Sequence, residues 1–328
     1  MKLSALETYV CPACHGSLRL DAGFPSGAEL LEGTIACSAC GTRYAIVRGV
    51  PRFVRGGAYA ASFGRQWNWF RTVQIDSHNK NDESFRLFQE TTGWSEGSLA
   101  GKRVLDAGVG AGRFAECAAR CGGEVFGVDL TRAVDAAFAN IGRQPHVHIA
   151  QADIFSMPFR PGTFDCAYSI GVLHHTPDPE AAFRKVADAV RPQGELGIYV
   201  YSRYGPGHRW SDALRTITTR LPQPAMLALS AGAIPLYYAY KIPIAGRVLR
   251  FALPASEHPS WRTRWLDTFD WYTPKYQFKY LYPEVYRWFQ HAGFGDITIF
   301  DDPIRMRGVK APASRKHAIE PADRMVAS

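Results

Sequence analysis

Four cysteines near the start of the chain have the spacing of a metal site. Cys11 and Cys14 form one Cys-x-x-Cys pair, and Cys37 and Cys40 form a second, with 22 residues between the pairs. Two thiolates three positions apart can hold one face of a tetrahedral ion, and soft sulfur ligands favour Zn²⁺. We expect a structural zinc ion, because a closed four-thiolate site leaves no position open for a substrate.

A glycine-rich turn supplies a second kind of chemistry. Gly108, Gly110 and Gly112 follow a predicted buried strand ending at Asp106, and the helical run 113–120 comes next. Glycine lets a ligand approach the backbone closely, and a helix N-terminus favours polar and anionic groups. The strand, turn and helix together predict a nucleotide-cofactor site.

Two further carboxylates end the next two predicted strands, at Asp129 and Asp153. Asp129 can accept both hydroxyls of a ribose, and Asp153 can accept from an adenine amino group. Either acid alone could simply cap a helix, but acids at successive strand ends share the edge where open parallel sheets bind ligands. A dinucleotide oxidoreductase is disfavoured, because Asp106 beside the turn would repel a pyrophosphate.

Five ordered motifs between residues 104 and 196 carry a family resemblance. They are VLDAGVGAGRF (104–114), GVDL (127–130), QADIFSMPF (151–159), FDCAYSIGVLHHTPDP (164–179) and RPQGEL (191–196). In these the chain resembles the class I S-adenosylmethionine (SAM)-dependent methyltransferases of the methyltransferase type 11 family. The resemblance implies a set of cofactor-binding residues: Asp106, Gly108, Gly110, Gly112, Asp129, Leu130, Asp153, Ile154 and Ile170.

Two histidines, His174 and His175, follow the fourth predicted strand, where the transferred methyl group would point. Histidine titrates near neutrality, so either could remove a proton from the acceptor. The alternative is that the pair shapes the loop and contacts the cofactor. The sequence leaves both readings open.

The order of the elements and the family resemblance imply an α/β, Rossmann-like class I methyltransferase sheet with an inserted lid, plus a small N-terminal zinc ribbon. The predicted domains are the ribbon at 1–57, a helical linker covering the cofactor at 58–100, the SAM-binding domain at 101–201 and 280–310, the lid at 202–279 and a disordered tail at 311–328. The cysteine spacing resembles the zinc ribbon of the small activator subunits of tRNA methyltransferases. Cys117, Cys121 and Cys166 lie in apolar runs and are expected in the core.

Positive charge is concentrated outside the predicted cofactor domain. The net charge is +8, and residues 202–255 hold seven Lys/Arg against one Asp, while residues 303–328 hold six against two acids. Prolines interrupt the uncharged run 221–240, which disfavours a membrane span. Basic residues flanking apolar runs suit either peripheral contact with anionic lipid or a pocket for a hydrophobic or anionic substrate.

Aromatic side chains crowd the second half of the predicted lid and the linker. Asp267, Asp270 and Tyr272 are the polar lid residues that we expect near an acceptor, although most of the lid aromatics suit the lid's own core. Phe63 and Trp67 of the linker are expected either to touch the cofactor or to serve packing alone.

These features predict a SAM-dependent enzyme that methylates oxygen or carbon of a small-molecule acceptor. The alternatives are an RNA methyltransferase that holds nucleic acid with its ribbon and basic segments, and a non-catalytic interaction protein that keeps the fold. The N-terminus lacks the apolar run of a secretory signal, so a cytoplasmic location is expected, with membrane association as an alternative. The oligomeric state is not readable from the sequence.

Overall fold

A computed structural model describes residues 1–24, 27, 29–54, 67–204, 208–301 and 304–312. A short 3-10 turn, Leu3–Glu7, precedes a small antiparallel sheet with strand order β1-β2-β3-β4. The strands are β1 (Leu18–Ala22), β2 (Gly33–Cys37), β3 (Arg43–Val47) and β4 (Val50–Pro51). This is the ribbon-like N-terminal domain that the cysteine spacing predicts.

The second sheet is the mixed, helix-covered sheet expected of the methyltransferase class. Its strands are β5 (Arg103–Ala107), β6 (Glu124–Asp129), β7 (Val147–Gln151), β8 (Phe164–Ile170), β9 (Val190–Tyr199), β10 (Phe294–Phe300) and β11 (Arg305–Lys310). The order is β10-β11-β9-β8-β5-β6-β7; β5 to β9 run parallel, and β11 is antiparallel to both of its neighbours. The carboxyl ends of the parallel strands therefore share one edge.

The helices fall into two groups, those that belong with the large sheet and those within the insertion. Those outside the insertion are α1 (Asp76–Asn79), α2 (Glu83–Thr92), α3 (Arg113–Arg120), α4 (Ala133–Ile141), α5 (Pro179–Ala189) and α11 (Tyr282–His291). Those inside it are α6 (His208–Thr218), α7 (Gln223–Ser230), α8 (Ala233–Ala239), α9 (Ala245–Ala252) and α10 (Trp261–Tyr272). Short 3-10 turns lie at Ile154–Ser156 and Leu173–His175.

One predicted strand has the wrong bounds. The sequence suggests a turn at residues 191–195 and a strand from Leu196 to Tyr201, whereas β9 begins at Val190 and ends at Tyr199. Val190 already pairs with Phe164, and the register shifts before Cys166 pairs with Glu195. A bulge therefore accommodates the Pro-Gln-Gly segment within the strand instead of ending it.

The small sheet and the large sheet share one hydrophobic core. The ring of Tyr9 lies 6.1 Å from Phe126 and 5.6 Å from Phe159. The Phe53 backbone N–H donates to the Gln151 carbonyl at 2.8 Å, which places the end of the ribbon against the edge strand β7. A Cβ on Gly49 would lie 2.4 Å from the Phe138 ring, so only glycine allows this close approach.

The insertion is closed at its base by main-chain hydrogen bonds. Tyr280 N–H donates to the Tyr201 carbonyl at 2.8 Å, and Arg203 N–H donates to the Tyr280 carbonyl at 2.9 Å. Within the insertion, Phe269 and Tyr272 of α10 pack with Met226 of α7 in a separate small core. The insertion is therefore a structured unit that leaves and rejoins the sheet at one point.

The cysteines outside the N-terminal cluster are core residues. Cys117, Cys121 and Cys166 are buried, which confirms that they belong to the core. Phe63 and the tail beyond residue 312 lie outside the described residues. No helix among the described residues is both long and apolar enough to cross a membrane.

Candidate functional site

The four N-terminal cysteines converge on one point. Their sulfur atoms all lie within 4.8 Å of one another, with Cys11 and Cys40 3.7 Å apart and Cys14 and Cys37 3.5 Å apart. Gly16 is required beside them, because a Cβ there would lie 2.9 Å from the Cys37 sulfur. Four convergent thiols are a donor set that fits tetrahedral Zn²⁺.

The glycine turn after β5 forms the floor of the main candidate site. Gly108 has a φ of 103° and Gly110 a φ of 51°, a region that side chains other than glycine rarely adopt. A Cβ on Gly108 would lie 2.4 Å from the Val172 side chain. The turn therefore presents bare backbone, which a cofactor can approach closely.

Asp129, at the end of β6, is held in place from two sides. One carboxylate oxygen accepts from Gly110 N–H at 3.1 Å, and the other accepts from the backbone N–H and hydroxyl of Thr131 at 2.8 and 2.7 Å. Burial raises the pKa of Asp129 against these hydrogen bonds, which favour the ionised form. The carboxylate is thus fixed next to the turn.

A cavity of about 370 Å³ lies over these residues, a size within the usual range for small-molecule and cofactor sites. Of the predicted cofactor residues, six line it: Gly108, Gly110, Asp129, Leu130, Ile154 and Ile170. Trp67 of the linker lines it as well.

Three predicted cofactor residues lie outside the cavity lining. Asp106 is 2% exposed and accepts from the Tyr168 hydroxyl at 2.9 Å; burial raises its pKa to about 8. Gly112 is the N-cap of α3. Asp153 accepts from Phe155 N–H at 3.0 Å and caps a 3-10 turn. Asp153 could cap this turn and also lie near an adenine, because Ile154 next to it lines the cavity.

Helix α10 of the insertion also lines this cavity. Asp267, Asp270 and Trp271 line it together with Tyr199, the last residue of β9, and Tyr201 just after that strand. Two of the polar lid residues named from the sequence therefore reach the site. Tyr272, the third, lines an adjacent cavity.

The Asp267 side chain accepts hydrogen bonds from the linker and from another part of the insertion. Its carboxylate accepts from the Gln74 amide at 3.2 Å and from the Ser256 hydroxyl at 3.1 Å. Burial raises the pKa of Asp267, while these hydrogen bonds and the Arg113 guanidinium oppose that rise. These hydrogen bonds hold the Asp267 carboxyl in place at the cavity.

The histidine pair divides into one cavity residue and one core residue. His175 lines the cavity, and its Nδ1 lies 2.9 Å from the Tyr276 carbonyl, which can only accept a hydrogen bond. Nδ1 therefore carries the proton, and Nε2 is the accepting nitrogen. His174 is fully buried and stacks on Tyr201 with ring centroids 3.9 Å apart. Burial lowers the pKa of both imidazoles, that of His175 to about 4.

Several residues that line the cavity were not predicted from the sequence. Tyr199 and Tyr201 are two positions apart where β9 ends, so the period-two pattern of a strand could have indicated that both side chains point to the same side. Arg113 follows the glycine turn directly, at the first position of α3. Gln74 reaches the site from a loop and carries no recognisable sequence signal.

Comparison with known families agrees with this geometry. Residues 105–198 match the family described as methyltransferase domain, and residues 2–49 match the family described as Trm112p-like protein. A ubiquinone biosynthesis O-methyltransferase of Aromatoleum aromaticum is 37% identical over 109 residues, 32% of this chain and 46% of the relative. One of Acinetobacter baumannii is 32% identical over 157 residues, 44% and 60% of the two chains. The chain thus spans about half the length of the curated relatives it matches.

Among solved structures, one match is a Haloferax volcanii complex between the Trm112 methyltransferase activator and the putative methyltransferase. That match has a TM-score of 0.47 and 12% identity, covering 76% of this chain and 97% of that one. A Haemonchus contortus N-methyltransferase with S-adenosylhomocysteine matches with a TM-score of 0.46 and 18% identity, covering 76% and 47%. The chain thus contains a segment similar to the methyltransferase domain family, preceded by a segment similar to the Trm112p-like family that carries the four-cysteine cluster.

Proposed function

We propose that the protein is a SAM-dependent methyltransferase acting on a small-molecule acceptor. The observation that carries the proposal is a cavity lined both by the glycine turn and Asp129 and by Asp267, Asp270 and Trp271 of the insertion. One wall suits a nucleoside cofactor and the other suits an acceptor. The relatives described above are ubiquinone biosynthesis O-methyltransferases, which supports oxygen as the methylated atom.

The cofactor wall suits SAM, which supplies an electrophilic methyl group when it is bound. In this proposal Asp129 and Leu130 hold the ribose, Ile154 borders the adenine, and the bare backbone of Gly108 and Gly110 lies beside the methionine portion. Asp106 supports the turn from below and favours a cationic amino group above it. These side chains align the methyl group and exclude water, which is the main requirement for an in-line displacement.

The acceptor wall favours a planar molecule with hydrogen-bond donors. Tyr199, Tyr201 and Trp271 supply aromatic surface for stacking. The carboxyl groups of Asp267 and Asp270 can accept hydrogen bonds from acceptor hydroxyls. This combination supports a hydroxylated aromatic acceptor.

His175 is the proposed general base for a hydroxyl acceptor. Its Nδ1 proton is committed to the Tyr276 carbonyl, and its depressed pKa keeps the ring neutral at pH 7. With methyl-labelled SAM and an acceptor found in metabolite extract, His175→Asn is expected to lower kcat about 100-fold or more. The affinity for S-adenosylhomocysteine should stay within about twofold. A parallel loss of cofactor affinity would assign His175 to cofactor binding instead.

Cofactor binding is tested by titration calorimetry of the purified protein with S-adenosylhomocysteine. We expect binding by the wild type and a loss of about tenfold or more for Asp129→Ala, because a ribose-bonded carboxylate is removed. Asp165→Ala is the matched control, since Asp165 lies near the amino end of β8 and accepts from Arg103 N–H at 2.7 Å, outside the cavity lining. Absence of heat with the wild type would refute the proposal, and equal effects of the two variants would refute the role of Asp129.

We also propose that the four-cysteine cluster holds a structural zinc ion. Elemental analysis of protein purified without added metal should give about one zinc per chain, and Cys14→Ser should reduce that content. Ser38→Ala, an exposed change near the second pair, should leave it unaltered. A metal-free wild type that folds and binds S-adenosylhomocysteine would contradict this assignment.

A further inference from the structure

The far end of the insertion carries a cluster of exposed apolar side chains that methyl transfer does not use. We call residues 237–251, from the end of α8 through most of α9, the lid tip. Its large exposed apolar residues are 53–80% exposed: Tyr238, Ile242, Ile244, Val248 and Phe251. Single exposed apolar residues are ordinary, but a group within fifteen positions marks an interaction surface.

Three of these side chains share one face of α9. Ile244 is its N-cap, Val248 follows four positions later, and Phe251 three positions after that. Residues at this spacing lie side by side on a helix. The opposite face of α9 packs against the protein. Gly246 on that face is buried, and a Cβ there would lie 2.2 Å from the Tyr240 carbonyl oxygen.

Ile244 also has an unusual backbone conformation. Its φ is 65°, in the left-handed region that a β-branched residue rarely adopts, and its side chain is 80% exposed. Backbone strain of this kind persists where the surrounding fold imposes it, commonly at sites of ligand contact. At this strained position the isoleucine side chain is exposed to solvent and is not buried in the core.

The charged residues within the lid tip are all cations: Lys241, Arg247 and Arg250. Residues 213–256 contain no Asp or Glu, and Lys241 and Arg247 are both exposed. The Lys241 ammonium lies 4.3 Å from the Tyr237 ring, and Arg250 is paired with Glu257. Apolar residues flanked by cations and aromatic rings are typical of segments that lie in a bilayer interface.

We propose that the lid tip docks on the surface of an anionic lipid bilayer. Ile242, Ile244, Val248 and Phe251 enter the interface, while Lys241 and Arg247 contact acidic headgroups. A lipid surface is favoured over a protein partner because exposed Lys241 and Arg247 lie among the apolar side chains, and because residues 213–256 hold no acidic residue. Docking is independent of the proposed methyl transfer and can be measured without turnover.

The docking face adjoins a second cavity. The residues that line that cavity, of about 520 Å³, include Arg247 and Phe251 of the lid tip as well as Tyr201 and Trp271. Tyr201 and Trp271 also line the main cavity. Docking through the lid tip would therefore place a route toward the acceptor site beside the bilayer.

The test is co-sedimentation of the full chain with vesicles of phosphatidylcholine and phosphatidylglycerol (1:1), against phosphatidylcholine alone. We expect binding to the anionic vesicles that weakens from 50 to 500 mM NaCl. Ile244→Asp should weaken binding about tenfold or more. Lys241→Ala and Arg247→Ala should each weaken it about fivefold.

Matched controls separate docking from misfolding. Ile299→Asp changes an isoleucine that is 52% exposed on β10, away from the insertion, and should bind vesicles as the wild type does. Ile244→Asn suits the left-handed region, so it should fold normally and still lose vesicle binding. Equal binding by Ile244→Asp and Ile299→Asp would overturn the proposal. So would a wild type that ignores both vesicle types but self-associates through the same residues.

Discussion

Asp106 illustrates at the residue scale how a site residue can oppose stability. Its carboxyl is 2% exposed, and burial raises its pKa from 3.8 to about 8. A carboxyl whose folded pKa lies above its unfolded value contributes stability that is fully present below pH 3.8 and is lost as the pH rises through about 8. A buried acid with this cost suits a site that receives a cation.

Replacing Asp106 should therefore change stability and binding in opposite directions. Asp106→Asn keeps the shape and can still accept from Tyr168, but it cannot ionise. We expect unfolding in urea to show a gain on the order of 2 kcal/mol at pH 8 that shrinks toward pH 5. Calorimetry with S-adenosylhomocysteine should show about tenfold weaker binding. Asp165→Asn serves as the comparison, and a gain that does not depend on pH would contradict the explanation.

Gly108 provides a steric test at the same scale. Gly108→Ala would place a Cβ 2.4 Å from Val172 at a φ of 103°. We expect a loss of about 1–3 kcal/mol in unfolding free energy and weaker cofactor binding, because the turn must move. In Gly108→Ala/Val172→Ala the side-chain clash is relieved but the backbone strain remains, so recovery should be partial. Full recovery would show that φ does not matter here.

Helix α10 is the element that carries the acceptor side of the site, and Arg215 of α6 fixes its end. The Arg215 guanidinium donates to the Trp271 carbonyl at 2.7 Å and to the Pro274 carbonyl at 2.5 Å. Carbonyls at a helix C-terminus otherwise lack partners, and a cation there also favours the helix dipole. Asp267, Asp270 and Trp271 all depend on that position.

Removing this contact should loosen α10 without unfolding the sheet. Arg215→Met keeps much of the apolar stem and deletes the donors, at a cost of about 1–3 kcal/mol. Hydrogen exchange followed by mass spectrometry should show faster exchange in residues 261–274, while β5 and β6 stay protected. Arg220→Met, an exposed cation on the same insertion, should leave exchange unchanged. Equal protection of residues 261–274 in both variants would rule out this role for Arg215.

The elements also show what local sequence could and could not predict. The glycine turn, Asp129 at the end of β6 and the four cysteines depend on short-range patterns, so their positions were predictable. Asp153 was predicted to end the next strand, but β7 ends at Gln151 and Asp153 caps the turn that follows. Distant contacts were not: Gln74 meets Asp267 across 193 positions, and nothing in either segment indicates the pairing. The separation of His174 from His175 was equally hidden, because adjacent residues reach core or cavity according to the packing of Tyr201 and Tyr276.

At the scale of the whole molecule, the ribbon and the large sheet should unfold together. The buried residues of the ribbon belong to the same hydrophobic cluster as one face of the large sheet, with Tyr9 against Phe126 and Phe159, and this shared core favours a single transition.

Loss of the proposed zinc should therefore destabilise the cofactor site at a distance. For Cys14→Ser we expect one cooperative thermal transition at a lower temperature, with S-adenosylhomocysteine binding lost in that same transition. Ser38→Ala should melt as the wild type does. A variant with a melted ribbon and intact binding would show that the two sheets are energetically separate.

The hydrogen bond from Phe53 to Gln151 and the rings around Tyr9 lie between parts of one polypeptide. If the same surfaces belonged to two chains, their occupancy would follow a dissociation constant and fall on dilution. Tethered surfaces instead meet at a fixed, high effective concentration. The contact between the two sheets should accordingly be present in every folded molecule, in a one-to-one ratio, at nanomolar and micromolar protein alike.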